Sequence, residues 1–350
     1  MTKTKTRIEI IDIAKAITIF LVIMGHTTGN FDEPMFRRVL YSFHMPLFFM
    51  LAGLSIKPKV LKNKEEIIAF IRKNILALFV PYLIWGLIYG PFSFENILKL
   101  LYGSWASIAS TGTLTSLWYL PCLFVARMYI QVVFNLFENK DNRQLYYSIV
   151  MILFFIIGFI IPYREAEYLW CFNVAFVAAG FIMLGVLFRK QLIILSQQKL
   201  WMLFTEMIVS IVLMYFGTVY RGDALDLSLM CRGLYGNLFW FMWNALFGSI
   251  IVLSISAIIS QLSRESSRPF STRFITYIGS HTMGVFLLHK NIVQQLIVPM
   301  LSPYISDLFV MAIVAALIDL PIALILCWII ERYVPQLLGE FPVNEYKQNG

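Results

Sequence analysis

Ten ionisable residues fall inside stretches that are otherwise apolar enough for lipid: Asp12, Lys15, His26, His44, Arg127, Glu206, His281, His289, Lys290 and Asp319. Charged or titratable groups in such surroundings are costly, and by default they mark a functional path. All four histidines of the chain are among them. The densest pattern comes first. Asp12 and Lys15 stand three residues apart, so they are neighbours on one helical face. Lys15 and His26 stand eleven apart, which is about three turns plus 20°. Asp12, Lys15, Val22 and His26 therefore form one stripe, with Lys15 and His26 separated by about 16 Å of helix rise. A charged pair at one end and an imidazole at the other suit an extended ligand with a charged head. The plain alternative is a self-neutralising Asp–Lys pair with a packed histidine beyond it.

His44 lies within Phe43-His44-Met45-Pro46. Pro46 cannot donate a backbone hydrogen bond and clashes with the preceding turn, so a kink is expected there. A kink frees carbonyls and opens space. His44 then either faces a cavity or simply bonds a freed carbonyl. His281 and His289 are eight residues apart, about 80° around a helix, so one cavity need not hold both. His281 reads mainly as structural, while His289 is a candidate for the site. Arg127 stands out among the remaining charges, because a guanidinium suits phosphate and keeps its charge when buried. Glu206 and Asp319 fit structural pairs. No GxxxxGK[ST] loop, GxSxG elbow or HExxH is present, and the histidines lack metal-ligand spacing, so no metal is expected. The four cysteines are scattered, with no CxxC.

The elements that must position these groups follow from composition. Of 350 residues, 59% are hydrophobic and 14% charged, with mean hydropathy +0.75. A soluble domain is about 45–50% apolar and about 25% charged. A soluble enzyme, a disordered tail and a secreted disulfide scaffold are excluded. A helix crosses the hydrocarbon core with about 20 apolar residues. Ten stretches qualify: 8–28, 36–56, 71–92, 114–136, 145–162, 169–188, 200–220, 234–259, 274–298 and 307–331. They do not alternate as β-barrel strands would. The expected fold is an all-α polytopic bundle of about ten transmembrane helices, and one integral-membrane domain over 1–350 with no fused soluble domain.

Nineteen of the 28 Lys and Arg fall on the side of the N-terminus and six, including Arg37 and Arg38, on the other. Both termini are therefore expected in the cytoplasm. The first span reads as a retained helix rather than a signal peptide, since Asp12 and Lys15 interrupt it. The net charge of +8 reflects cytoplasmic loops, and no nucleic-acid partner is expected. The outer loop 93–113 is amphipathic through Phe94, Ile97, Leu98 and Leu101 and is expected at the membrane interface. Trp240, Trp243 and Gly248 could pack within one bundle or across a homodimer.

The run from Arg7 through Asp12 and Lys15 to Gly25-His26 resembles the opening of the acyltransferase-3 family of membrane O-acyltransferases. Phe43-His44-Met45-Pro46-Leu47-Phe48-Phe49-Met50-Leu51-Ala52-Gly53 resembles its second-helix motif. Leu117-Trp118-Tyr119-Leu120-Pro121 is similar to its Trp-aromatic-Leu motif. Ile278-Gly279-Ser280-His281 through Leu288-His289 resembles its late Gly…His segment. The branch it looks most like is the bacterial fucose 4-O-acetylase-like sugar acetyltransferases.

The resemblance implies transfer of an acyl group, most often acetyl from cytoplasmic acetyl-CoA. The acceptor it implies is a hydroxyl of a cell-surface polysaccharide or its lipid-linked precursor, in a bacterial cell membrane. The family's helix-one histidine falls on His26 and its basic residue on Lys15. Many members carry Arg there; Lys keeps the charge and loses the bidentate fork. Under this reading His26 is a general base or acyl acceptor. Asp12 holds Lys15, and His44 and Trp118 are candidates to stabilise the thioester oxygen. Arg127 contacts phosphate, and His289 belongs to the substrate site. The partners implied are acyl-CoA, the glycan or lipid-linked acceptor, and membrane lipid. The competing readings are a polysaccharide-unit transporter or flippase, and an O-succinyltransferase of the same family.

Overall fold

The computed structural model describes residues 9–27, 35–111, 115–164, 167–195, 197–220, 229–265 and 270–341. Among these, every regular element is helical. In chain order the α-helices are α1 (Glu9–Gly25), α2 (Met35–Tyr41), α3 (His44–Ser55), α4 (Lys64–Asn74), α5 (Val80–Tyr89), α6 (Phe94–Tyr102), α7 (Trp105–Ala109) and α8 (Tyr119–Phe137). They continue with α9 (Arg143–Ile160), α10 (Phe172–Leu195), α11 (Leu200–Tyr215), α12 (Leu238–Glu265), α13 (Phe270–Ser280), α14 (Thr282–Asn291), α15 (Val298–Leu301) and α16 (Leu308–Tyr333). A π-helical turn, Ile75–Phe79, joins α4 to α5, and a second, Ile292–Ile297, joins α14 to α15.

Among the described residues, eight helices are long and apolar enough to cross a membrane: Lys64–Tyr89, Thr115–Phe137, Arg143–Ile160, Leu169–Leu192, Leu200–Val219, Leu238–Arg264, Thr282–Leu301 and Leu308–Tyr333. The two expected spans outside that set are the ones carrying His26 and His44. α1 is 17 residues long and holds Glu9, Asp12 and Lys15, and α3 has only 12 residues. Both are sheltered by protein. α1 runs through the bundle against α3, α12, α13, α14 and α16, and Ile10, Ile13, Ala14, Ile19 and Ile23 are fully buried. A helix wrapped in other helices needs no lipid-facing stripe, so it can hold ionisable groups. Lipid meets the outer helices instead. α9 presents Ile149, Ile152, Leu153, Ile156 and Ile160, and α11 presents Trp201, Ile208 and Val212.

Helix boundaries differ from expectation at three places. The second span is not kinked at Pro46 but broken earlier, at Ser42 and Phe43, between α2 and α3. Pro46 is the third residue of α3, where a backbone N–H would lack an intrahelical partner anyway, so proline costs little. The third span begins at Lys64 rather than 71, because Asn63 caps it by accepting the Glu66 N–H at 2.8 Å. The ninth is interrupted at His281, which separates α13 from α14. The outer loop folds as α6 and α7, and α6 exposes Phe94, Leu98 and Leu101. Gly248 packs within the bundle, since a Cβ there would run into the Phe43 ring.

Candidate active site

Two cavities lie along α1. The first, about 290 Å³, is lined by His26, Arg37, Tyr41, His44, Thr115, Ser116, Trp118, Lys290 and Gln294, closed by Trp105 and by Leu229–Cys231. The second, about 390 Å³, holds Lys15, Arg127, Tyr119, Thr282 and Ser55, with Leu338 and Gly339 in its wall. Met45 and Phe286 line both. These two side chains thus stand between a histidine-bearing chamber and a chamber with two cations. The first lies at the His26 end of α1, the outer end if the N-terminus is cytoplasmic as the Lys and Arg distribution predicts, and the second at the Lys15 end, the inner one. Each chamber takes residues from a π-helical turn, Ala77 and Leu78 in the inner one and Gln294 in the outer. Wide turns of this kind recur at functional sites.

In the outer chamber, His26 follows the last residue of α1, its N–H still bonded to Val22 and Ile23 carbonyls. Gln294 Nε2 donates to the His26 carbonyl at 3.0 Å. The His289 ring lies 5.3 Å from the His26 ring, centroid to centroid. Tyr41 sits between His26, at 6.3 Å, and His44, at 4.9 Å. Its hydroxyl donates to the Gly25 carbonyl at 3.3 Å. A Cβ at Gly25 would meet the Tyr41 ring at 3.0 Å, so glycine lets this ring reach the helix end. The Arg37 guanidinium lies 4.8 Å over the opposite part of the cluster, on Tyr41.

Hydrogen bonds fix two of the three histidine tautomers. His44 Nδ1 donates to Leu40 O at 2.5 Å, and His289 Nδ1 donates to Phe286 O at 2.8 Å. A carbonyl only accepts, so both rings carry their proton on Nδ1 and leave Nε2 with a lone pair. His44 was a candidate donor to an oxyanion, and as a neutral ring it cannot fill that role through Nε2. Its carbonyl comes from the break at 42–43, not from Pro46. His289 Nε2 is buried, with no hydrogen-bond partner among the described residues. Trp118 is buried and lines the same chamber. Cys231 also lines it, and burial pushes its thiol up to about 12, which removes it as a nucleophile at neutral pH.

The inner chamber holds Lys15 beside Arg127, whose Nη1 donates to Asn74 Oδ1 at 3.0 Å. Its wall is completed by the turn Pro335–Leu338, anchored by Trp85 Nε1 donating to Leu337 O at 2.7 Å. Asp12 is buried and lines neither chamber; it sits where α1 crosses α13 at Gly279. His281 is also outside both, bonded to Tyr277 O and paired with Glu331 at 3.4 Å. Glu206 accepts from Gln198 at 3.0 Å, a structural pair.

Sequence reasoning assigned no role to Arg37, Tyr41, Thr115, Ser116, Lys290 or Gln294. Arg37 was counted with the external loops, yet it is buried on α2 and faces the chamber. Lys290 was visible as a cation inside a span, and that signal was sufficient to place it. On the outer rim, Glu167 accepts the Ala106 N–H at 2.7 Å and pairs with Arg232 at 3.1 Å. Burial raises its carboxyl above the ordinary range, against the opposing pull of that N–H and Arg232.

An amino-acid racemase of Enterococcus faecalis is 30% identical over 129 residues, covering 33% of this chain and 17% of the relative. The chain therefore spans less than a fifth of that protein's length. The profile of the family described as an acyltransferase domain matches residues 8–332, nearly the whole chain. The chain belongs to the acyltransferase-3 family of membrane acyltransferases.

Proposed function

We propose that the protein is a bacterial cell-membrane O-acyltransferase moving an acyl group, most simply acetyl, from cytoplasmic acyl-CoA to a sugar hydroxyl. The acceptor is a cell-surface polysaccharide or its lipid-linked precursor. The observation that carries this reading is the pair of chambers back to back on one helix, one lined by Lys15 and Arg127 and the other by His26 and His44. Lys15 and Arg127 would hold the anionic nucleotide head. The thin arm would pass Met45 and Phe286 and deliver the thioester to His26.

In this mechanism the acceptor oxygen attacks the thioester carbonyl carbon while neutral His26 takes the hydroxyl proton. The tetrahedral intermediate collapses, the C–S bond breaks, and imidazolium His26 returns the proton to the departing thiolate. The His289 ring, packed 5.3 Å from that of His26 centroid to centroid, would restrict the orientation of that imidazole. The Trp118 indole N–H, in the lining of the same chamber, would donate to the developing oxyanion.

The test uses the purified protein in lipid with radiolabelled acetyl-CoA and a mixed pool of bacterial glycans. Label should pass to glycan, and Lys15→Met should raise KM for acetyl-CoA with a smaller change in kcat. Use of succinyl-CoA in preference would change the acyl group and keep the chemistry. Failure to bind any acyl-CoA, with sugar units moved across the bilayer instead, would replace the proposal by transport.

A further inference from the structure

We infer that Asp319 on α16 is a positioning residue for the reactive end of α1, acting through a water that it shares with His289. This rests on the reading of His26 as the base. The sequence suggests a structural pair for Asp319, yet both of its carboxyl oxygens are buried without a hydrogen-bond partner among the described residues. His289 Nε2 is in the same condition, and both residues are fully buried. Neither residue lines either chamber, so their polar ends lie in the packing between helices.

That packing brings the two residues together. α1, α14 and α16 each pack against the other two, and the π-helical turn Ile292–Ile297 packs against α14 and α16. α14 and α16 belong to consecutive spans, Thr282–Leu301 and Leu308–Tyr333, and so run antiparallel. Ala312, Ala316, Asp319, Ala323 and Cys327 recur at helical spacing and are all fully buried, which makes them one face of α16. That face meets α14, because a Cβ at Gly284 would lie 2.5 Å from Cys327 Sγ. Five residues on from Gly284 is His289, and five back from Cys327 is Ile322. Asp319 therefore stands about 4.5 Å of helix rise, one turn, from the level of His289.

A carboxyl group inside a membrane without a partner is costly, and a residue of this kind marks function by default. His289 donates through Nδ1 to the Phe286 carbonyl, so its Nε2 accepts. The carboxyl oxygens accept as well, and a water between them donates one hydrogen to each. Buried waters typically serve such otherwise unsatisfied groups. Held at both nitrogens, the His289 ring has a fixed plane, and the His26 ring packs 5.3 Å from it, centroid to centroid.

The experiment compares the parent with Asp319→Leu and Asp319→Asn in nanodiscs, by acetyl-CoA turnover and by nitrogen NMR of histidine-labelled protein. The His289 signals are identified by their loss in His289→Phe. Asp319→Leu should lower kcat about 10-fold or more. KM for acetyl-CoA should stay within about twofold, since the donor head is held in the other chamber. Asp319→Asn keeps a carbonyl oxygen for the water and should retain kcat within a few-fold. In a His289→Phe background, Asp319→Leu should add little further loss, because both act through one contact. The His289 Nε2 resonance should move in Asp319→Leu. Should that variant fail to fold, Asp319→Ala carries the same expectations. A carboxyl with no such role predicts the opposite: its replacement by leucine would leave kcat and the His289 resonance unchanged, and that result would overturn the proposal. Equal losses of kcat with and without His289 would overturn it too. The NMR arm needs no acyl donor. Absence of turnover in the parent would sink the acyl-transfer reading, while the His289 resonance would still decide whether Asp319 holds that ring.

Discussion

Gly279→Ala tests how tightly the fold fixes the reactive helix. An ideal Cβ at 279 would lie 2.5 Å from the Asp12 carbonyl carbon and closer still to its oxygen. Carbon atoms in contact sit at about 3.5–4.0 Å, so α1 and α13 must part by roughly 1 Å. Both are backbone atoms in packed helices, and no side-chain rotation relieves the clash. Overpacking of this kind costs about 1–3 kcal/mol, or a fall in Tm of roughly 2–10 °C. The displacement also travels along α1, which carries Lys15 and His26. A misplacement of about 1 Å can cost on the order of 100-fold in turnover. The assay is thermal unfolding in lipid together with acetyl-CoA turnover. Thr276→Ala one turn earlier on α13 serves as control, because it loses local bonds within its own helix, to Thr272 O and Arg273 O at 3.0 Å each. Unchanged Tm and unchanged turnover in Gly279→Ala would refute the claim that this crossing sets the position of the site.

Three further outcomes are expected. Lys15→Arg should keep KM for acetyl-CoA within a few-fold of the parent, whereas Arg127→Met should raise it about tenfold or more, measured by steady-state kinetics. His289→Phe should lower kcat and displace the pH profile of the His26-dependent step, while a purely structural role would lower stability without moving the profile. For Glu167, burial holds the folded carboxyl above its ordinary pKa. The stability it contributes is therefore full below the unfolded value of about 4.3 and is lost as pH rises through the folded one. Glu167→Gln should gain stability relative to the parent across that window, and a difference in Tm that does not vary with pH would count against this.

Much of the site was legible because membrane burial makes ionisable residues conspicuous. The eleven-residue spacing puts Lys15 and His26 in different chambers along one helix; His44 and Trp118 join His26 in the lining of the outer one, and His289 packs against the His26 ring. Asp12 lines neither chamber and lies where α1 crosses α13, a neighbour that periodicity cannot name because it gives only a face of a helix. The chamber roof was not legible: Leu229–Cys231 and Trp105 come from connections far apart in sequence and meet only through tertiary packing. Arg37 was lost for a related reason. A cation at the edge of a span looks like a loop charge until the break at Ser42 and Phe43 turns α2 inward.

The central claim is that His26 performs proton transfer at the thioester, and the most direct test compares the parent protein with His26→Ala in lipid with labelled acetyl-CoA. Binding of acetyl-CoA should persist, because Lys15 and Arg127 remain, while transfer to acceptor falls by about 100-fold or more. Transfer at the parental rate in a folded His26→Ala protein would contradict the account.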